Sequence, residues 1–186
     1  MIEVEIKLKI KDVNAVTNKL TAIGFVHKKT VKEIDKYYDN ANGDVKNSDS
    51  ALRIRRVTDL DTNKSICQIN YKGKKMDTVS MSRQEYETEV IDAEAMNQIL
   101  ESLGYIAVRP FVIKVRNEYS FNDTNACVDI VEGLGEYLEL EVMVETEEQK
   151  PDALKSIDTI LNKLGYNIEE TTNVSYLSQL IMKGTR

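Results

Sequence analysis

Tryptophan is absent from the 186 residues, histidine occurs once, and cysteine and proline occur twice each. With a single histidine, His27, neither a His-based triad nor a His-ligated zinc site is expected, and its position beyond the first helix reads as loop or surface. Cys67 and Cys127 show no paired spacing, so no disulfide framework is expected and the cytosol is the expected compartment. Cys67 shares the face of Ile69 and Tyr71 and reads as a small buried hydrophobe. No apolar run approaches the ~20 residues of a spanning helix, and Met1-Ile2-Glu3-Val4-Glu5 lacks signal-peptide character, so no membrane partner is expected. No glycine-rich loop precedes a helix. Tyr71-Lys72-Gly73-Lys74-Lys75 lacks the spacing of a P-loop, and Lys74-Lys75 reads as a solvated pair or the rim of a tunnel. No Pro- or Ser-rich linker divides the chain, which is expected to form one domain over 1–186.

Charge, by contrast, is abundant. The formal net charge is −6, which argues against a nucleic-acid partner. That average conceals an asymmetry: residues 1–91 carry 17 basic and 14 acidic groups, and residues 92–186 carry 8 and 17.

Three segments end alike, at Ile23-Gly24-Phe25, Leu103-Gly104-Tyr105 and Leu164-Gly165-Tyr166. Glycine after the last apolar position suits a left-handed helix cap, with the aromatic packing back on the final turn. The third of these helices is expected to open at Pro151, and a fourth is expected over about 173–183 from Val174, Leu177, Leu180 and Ile181. A strand with Glu-x-Glu precedes each of the three, at Glu3–Glu5, Glu87–Glu89 and Glu139–Glu141.

The strands alternate strictly. Residues 2, 4, 6, 8 and 10 are apolar, while 3, 5, 7, 9 and 11 are charged. With a side-chain period of 2, such a strand has one apolar and one ionic face. The same alternation sets Arg53 and Arg55 against Leu52 and Ile54, and Lys72 against Tyr71. Arg83, Glu85, Glu87 and Glu89 share a face, as do Lys114, Arg116 and Glu118. Asp129 alternates with Val128 and Ile130, and Glu139 and Glu141 with Leu138, Leu140 and Val142; Cys127 is in phase with Asp129. With Asp35–Asp39 there are eight strands, separated by turns at 42–44, 59–63, 122–125 and 133–135.

An eight-stranded antiparallel sheet with one apolar and one ionic face can close into a barrel, which removes its edges. The expected fold is α+β: a closed β-barrel with a charged lumen and helices packed on the outside. That lumen collects Lys7, Arg53, Arg55, Lys72, Arg83, Lys114 and Arg116 with Glu3, Glu5, Glu85, Glu87, Asp129, Glu139 and Glu141. Dry burial of these charges costs several kcal/mol per ion, so the lumen is wet and suited to a charged ligand. Cations at several heights suit a phosphate chain. Carboxylates among them make sense if they hold Mg²⁺ or Mn²⁺, hard cations that bridge phosphates.

The ordered set Glu3-x-Glu5-x-Lys7, Asp35-x-Tyr37-Tyr38-Asp39, Arg53-x-Arg55, Lys72-Gly73, Arg83-x-Glu85-x-Glu87, Lys114-x-Arg116, Asp129, Gly133-Leu134-Gly135, Glu139-x-Glu141 and Ser175-Tyr176 resembles the CYTH superfamily, the triphosphate tunnel metalloenzymes. The pattern is closest to the class IV adenylyl cyclases and their archaeal and bacterial relatives. The resemblance implies a metal side of Glu3, Glu5, Asp129, Glu139 and Glu141 and a phosphate side of Lys7, Arg53, Arg55, Lys72, Lys114 and Arg116, joined by Arg83. Of these, Lys7, Lys72 and Lys114 are taken as the catalytic cations. Glu85 and Glu87 are secondary candidates, and Tyr38 is a candidate for base contact. The implied substrate is ATP, inorganic triphosphate or thiamine triphosphate, with either cyclisation or hydrolysis as the reaction; a homodimer is compatible with the family. A protein that binds polyphosphate or nucleotide without turnover is the alternative class.

Overall fold

The computed structural model describes residues 2–74 and 83–184; Lys75, expected in the solvated loop, lies outside them. Eight strands are joined in the closed order β1-β5-β4-β3-β2-β6-β7-β8, every pairing antiparallel. They are β1 (Ile2–Lys9), β2 (Val26–Asn40), β3 (Ala51–Asp59), β4 (Ser65–Lys72), β5 (Arg83–Glu89), β6 (Tyr105–Phe121), β7 (Thr124–Val131) and β8 (Gly135–Val144). The helices are α1 (Val13–Ala22), the short α2 (Asp44–Asn47), α3 (Ala93–Ser102), α4 (Lys150–Leu164) and α5 (Tyr176–Gly184). The expected barrel is therefore present. No helix among the described residues is long and apolar enough to cross a membrane.

The alternation read in β1 explains how the wall is built. Val4, Ile6, Leu8 and Ile10 point outward and are buried against Val16 and Leu20 of α1 and Ile157, Leu161 and Leu164 of α4. Burying an aliphatic side chain of this size contributes about 1.5–3 kcal/mol. A smaller outer core joins Tyr38, Ile54 and Leu100, so that α3 covers β2 and β3. With the apolar face outward, the opposite face, which carries most of the charged residues of the strands, is left for the lumen.

Helix ends follow the expected chemistry. Asp12 and Asp92 cap α1 and α3 by accepting backbone N–H groups of their first turns. At the end of α1, Phe25 N–H donates to Leu20 C=O at 3.0 Å and Gly24 N–H to Thr21 C=O at 3.1 Å. That is the paired bonding of a glycine-terminated helix, and α4 repeats it through Gly165 and Tyr166.

Two features differ from the sequence reading. Strand β2 is 15 residues long and begins at Val26, because an irregularity between His27 and Lys29 breaks its period. Helix α5 does not lie on the outer wall. Its Tyr176, Leu177 and Leu180 pack on Val112, Val131 and Tyr137, which are in phase with the lumen-facing Lys114, Asp129 and Glu139, so α5 lines one end of the interior.

Gly24 has φ +104°, and a Cβ built on it would stand 2.8 Å from the Phe121 ring. Gly24→Ala is expected to lower stability by about 1–2 kcal/mol in urea unfolding, whereas Gly184→Ala, where a Cβ meets nothing within 4 Å, is expected to change it by less than about 0.5 kcal/mol.

Candidate active site

A cavity of about 970 Å³ occupies the barrel interior, lined by the inward residues of all eight strands and by residues of the α5 segment. Its walls are organised by cross-strand pairs. Asp35 of β2 stands directly opposite Arg55 of β3, and Asp129 of β7 opposite Arg116 of β6. In each pair the guanidinium Nε and Nη2 donate to the two carboxylate oxygens, at 2.6 and 2.8 Å for Arg55 and at 2.7 Å twice for Arg116. Such forks fix the guanidinium plane as well as neutralising it.

Glu33, opposite Lys114 in the ladder, joins the two forks. It lies 3.1 Å from Arg55 and 3.2 Å from Lys114, and Lys114 in turn donates to Asp129 at 2.9 Å. Arg53 extends the series, 3.5 Å from Asp35, and Arg116 closes it with a short bond to Glu139. The result is a belt of alternating sign running from β3 through β2, β6 and β7 to β8.

Electrostatics follow from the belt. Burial alone would raise Asp35, Glu33 and Glu139, but the adjacent arginines and lysines outweigh it and hold all three below their usual range. Lys7 is displaced downward by burial despite Glu139 and Glu5, and its ammonium lies 4.5 Å from the centre of the Tyr176 ring.

The belt stops short of a second group. Glu5 and Glu141 are direct ladder partners, a like-charge pairing that is ordinarily unfavourable. Ligand oxygens of Glu3, Glu5 and Glu141 lie within 4.8 Å of one another. Burial, reinforced by Glu139, pushes Glu5 up to about 7. Burial, reinforced by Glu3 and opposed by Arg116, pushes Glu141 up to about 8. Lys72 lies 2.6 Å from Glu3, and the more distant Arg116 lies 3.7 Å from Glu141. Three acidic oxygens short of positive charge are a donor set for a hard divalent cation.

The expected site residues thus fall into separate places. Lys7, Arg53, Arg55, Lys72, Lys114 and Arg116 all line the lumen. Glu3, Glu5 and Glu141 converge, with Glu139 beside them but bound to Arg116. Asp129 does not join them: fully buried, it accepts from Arg116, Lys114 and the Tyr176 hydroxyl at 3.0 Å, so its lone pairs are committed to fixing cations. Arg83 donates to the carbonyls of Asp49 and Gly73, which ties down the rim. Glu85 pairs with Lys72 at 3.1 Å, and Glu87 is exposed and bonded by Gln68. Tyr38 is corrected: its hydroxyl donates to Asn97 at 2.7 Å in the outer core under α3, so its ring is wall packing. Tyr37 is the lumen-side member of that pair, 3.5 Å from Arg53. Cys127 faces the lumen as expected, and burial raises its thiol well above the usual value, which disfavours the thiolate. Sequence reasoning missed Glu33, Asp35 and Tyr176 as site residues. Asp35 and Tyr176 stood within the matched motifs, and Glu33 is in phase with Asp35, the one signal that pointed to it.

The model of the CYTH domain matches residues 1–176. A candidate adenylate cyclase of Methanocaldococcus jannaschii is 39% identical over 95% of this chain and 97% of its own length. A solved Pyrococcus horikoshii structure superposes with a TM-score of 0.88 at 30% identity, covering 97% of this chain and 99% of the other. A candidate adenylyl cyclase from Hippeastrum, described as having dominant triphosphatase activity, shares the fold with a TM-score of 0.65 at 22% identity, covering 99% and 96%.

Two outcomes follow. Raised carboxylates hold protons that the unfolded chain has already lost, so their contribution to stability is present below about pH 4.5 and lost as pH rises through 7 to 8. In chelator, the melting temperature is expected to fall between pH 5 and 8, and Glu141→Gln to flatten that fall; an unchanged slope in the variant contradicts the assignment. Asp129→Asn removes the counter-charge that Arg116 and Lys114 share, leaving Arg116 on Glu139 and Lys114 on Glu33, and a loss of roughly 3 kcal/mol in denaturant unfolding is expected; an effect below about 1 kcal/mol would show that Asp129 does not anchor the belt.

Proposed function

The chain belongs to the CYTH family, and from that membership we propose that it is a divalent-metal-dependent enzyme turning over a triphosphate in its barrel, with conversion of ATP to cyclic AMP and pyrophosphate as the first reading. The observation that carries this is the division of the lumen. Glu3, Glu5 and Glu141 are short of positive charge, and next to them stands a wall of arginines and lysines whose orientation is already fixed. A metal–triphosphate satisfies both.

Mg²⁺ or Mn²⁺ fits this donor set and would be held by Glu3, Glu5 and Glu141. When bound it supplies charge neutralisation and polarisation of a phosphoryl oxygen. The rest is done by the chain itself. Arg53, Arg55 and Arg116 hold the phosphate oxygens, with Asp35 and Asp129 keeping the forks of Arg55 and Arg116 in plane, so that little reorganisation is needed at the moment of reaction. Lys7, Lys72 and Lys114 offer compact ammonium charges to the oxygens on which negative charge develops. In the cyclase reading the ribose 3′-oxygen attacks the α-phosphorus and pyrophosphate leaves. The relationship to a candidate adenylate cyclase at 39% identity supports that reading. Hydrolysis, in which water attacks the terminal phosphorus, is the second reading. It is favoured by the Hippeastrum protein, in which the same fold carries dominant triphosphatase activity.

The test is incubation with ATP, inorganic triphosphate and thiamine triphosphate in Mg²⁺ or Mn²⁺. Cyclic AMP with pyrophosphate is the expected result, and orthophosphate release establishes the hydrolase instead. Glu3→Ala is expected to reduce turnover at least about 100-fold while still binding tripolyphosphate. Tripolyphosphate binding with no product from any of the three substrates overturns the enzyme and leaves a binding protein.

A further inference from the structure

Glu33 is held differently from the aspartates on either side of it in the belt. Asp35 and Asp129 are each gripped by two parallel guanidinium N–H bonds. Glu33 is held by proximity to charge: Oε2 lies 3.1 Å from Arg55 Nη1 and 3.2 Å from Lys114 Nζ, yet it is buried and accepts no well-formed hydrogen bond. Ion pairing without directed hydrogen bonding is the weaker mode of attachment. The two cations it touches are those through which the forks meet. Arg55 spends Nε and Nη2 on Asp35, so Nη1 is the edge available to a ligand oxygen, and Glu33 covers it.

We propose that Glu33 is a built-in competitor of the phosphate chain: in the free protein it takes the place between Arg55 and Lys114 that a phosphoryl oxygen takes in the complex, and its return helps to expel the product. This rests on the proposed function in one respect, that the phosphate chain lies on Arg55 and Lys114. Carboxylate and phosphoryl oxygens are interchangeable acceptors for these donors. Binding then exchanges one anion for another, and the lumen is never left with bare, desolvated cations. Each phosphate ligand must displace Glu33, so the residue weakens substrate and product together and favours rapid release.

The experiment is calorimetric titration of the whole chain with sodium tripolyphosphate and with pyrophosphate, in chelator, for wild type, Glu33→Gln and Glu118→Gln. Glu118 lines the same cavity on the same strand as Lys114, pairs with the half-exposed Lys29 at 3.5 Å, and loses the same charge. Glu33→Gln is expected to bind both ligands at least about tenfold more tightly, and Glu118→Gln to stay within about threefold of wild type. Unchanged or weaker binding in Glu33→Gln, or an equal gain in Glu118→Gln, overturns the inference. Wild type that takes up neither ligand overturns the proposed function, and this inference with it. Should Glu33→Gln fail to unfold cooperatively, Glu33→Asp withdraws the carboxylate by one methylene. Tighter pyrophosphate binding in that variant supports the inference, and its absence overturns it.

Discussion

Arg55 and Arg116 each lay two N–H groups on an aspartate directly across the ladder, and Glu33 joins the two forks through Lys114. Without this pairing the barrel would enclose charges whose desolvation costs several kcal/mol apiece. With it, the cost is met locally, strand by strand, because antiparallel register sets opposite charges within reach. The pairing also explains why the apolar faces turn outward. An interior given over largely to ions leaves the outer wall as the main place for hydrophobic burial, covered by α1, α3 and α4, with the α5 cluster closing one end of the interior.

The same rule makes the exception informative. Where Lys7 faces Glu139 the ladder opposes unlike charges; two pairs along, on the same face, Glu5 faces Glu141 and the rule is broken. Burial, with Glu139 adding to it at Glu5 and Glu3 adding to it at Glu141, pushes these two carboxylates up to about 7 and about 8. A structure that compensates every other buried carboxylate of the belt has left room here for positive charge that the chain does not itself supply. In the proposed function the metal enters through that deficit, and the belt beside it holds a set of cations already aimed.

Much of this was legible in the sequence, because period-2 alternation is a statement about faces. The strict alternation of residues 2–11 fixed both walls at β1, and Arg53, Arg55, Lys114 and Arg116 lie in the lumen as their phase requires. Pairing was not legible. Phase places Asp129 and Glu141 on one face equally, yet register gives Asp129 to Arg116 and sets Glu141 opposite Glu5. Glu33 escaped because Lys32 and Lys36 put charge on the outer face of β2 as well, and the irregularity near Lys29 removes the clean period. Tyr38 misled because two adjacent tyrosines point to opposite faces and composition cannot choose between them. Apolar spacing located α5 but could not show that its partners, Val112, Val131 and Tyr137, face inward.

The central claim is that charge deficit and charge compensation are spatially separate within one lumen. Diffraction from crystals containing Mn²⁺ and tripolyphosphate, with the metal located by its anomalous signal, tests it most directly. The expected result is Mn²⁺ among Glu3, Glu5 and Glu141, phosphate oxygens on Arg53, Arg55 and Lys114, and Asp129 still bound to Arg116. Mn²⁺ on Asp129, with Arg116 released, would contradict it.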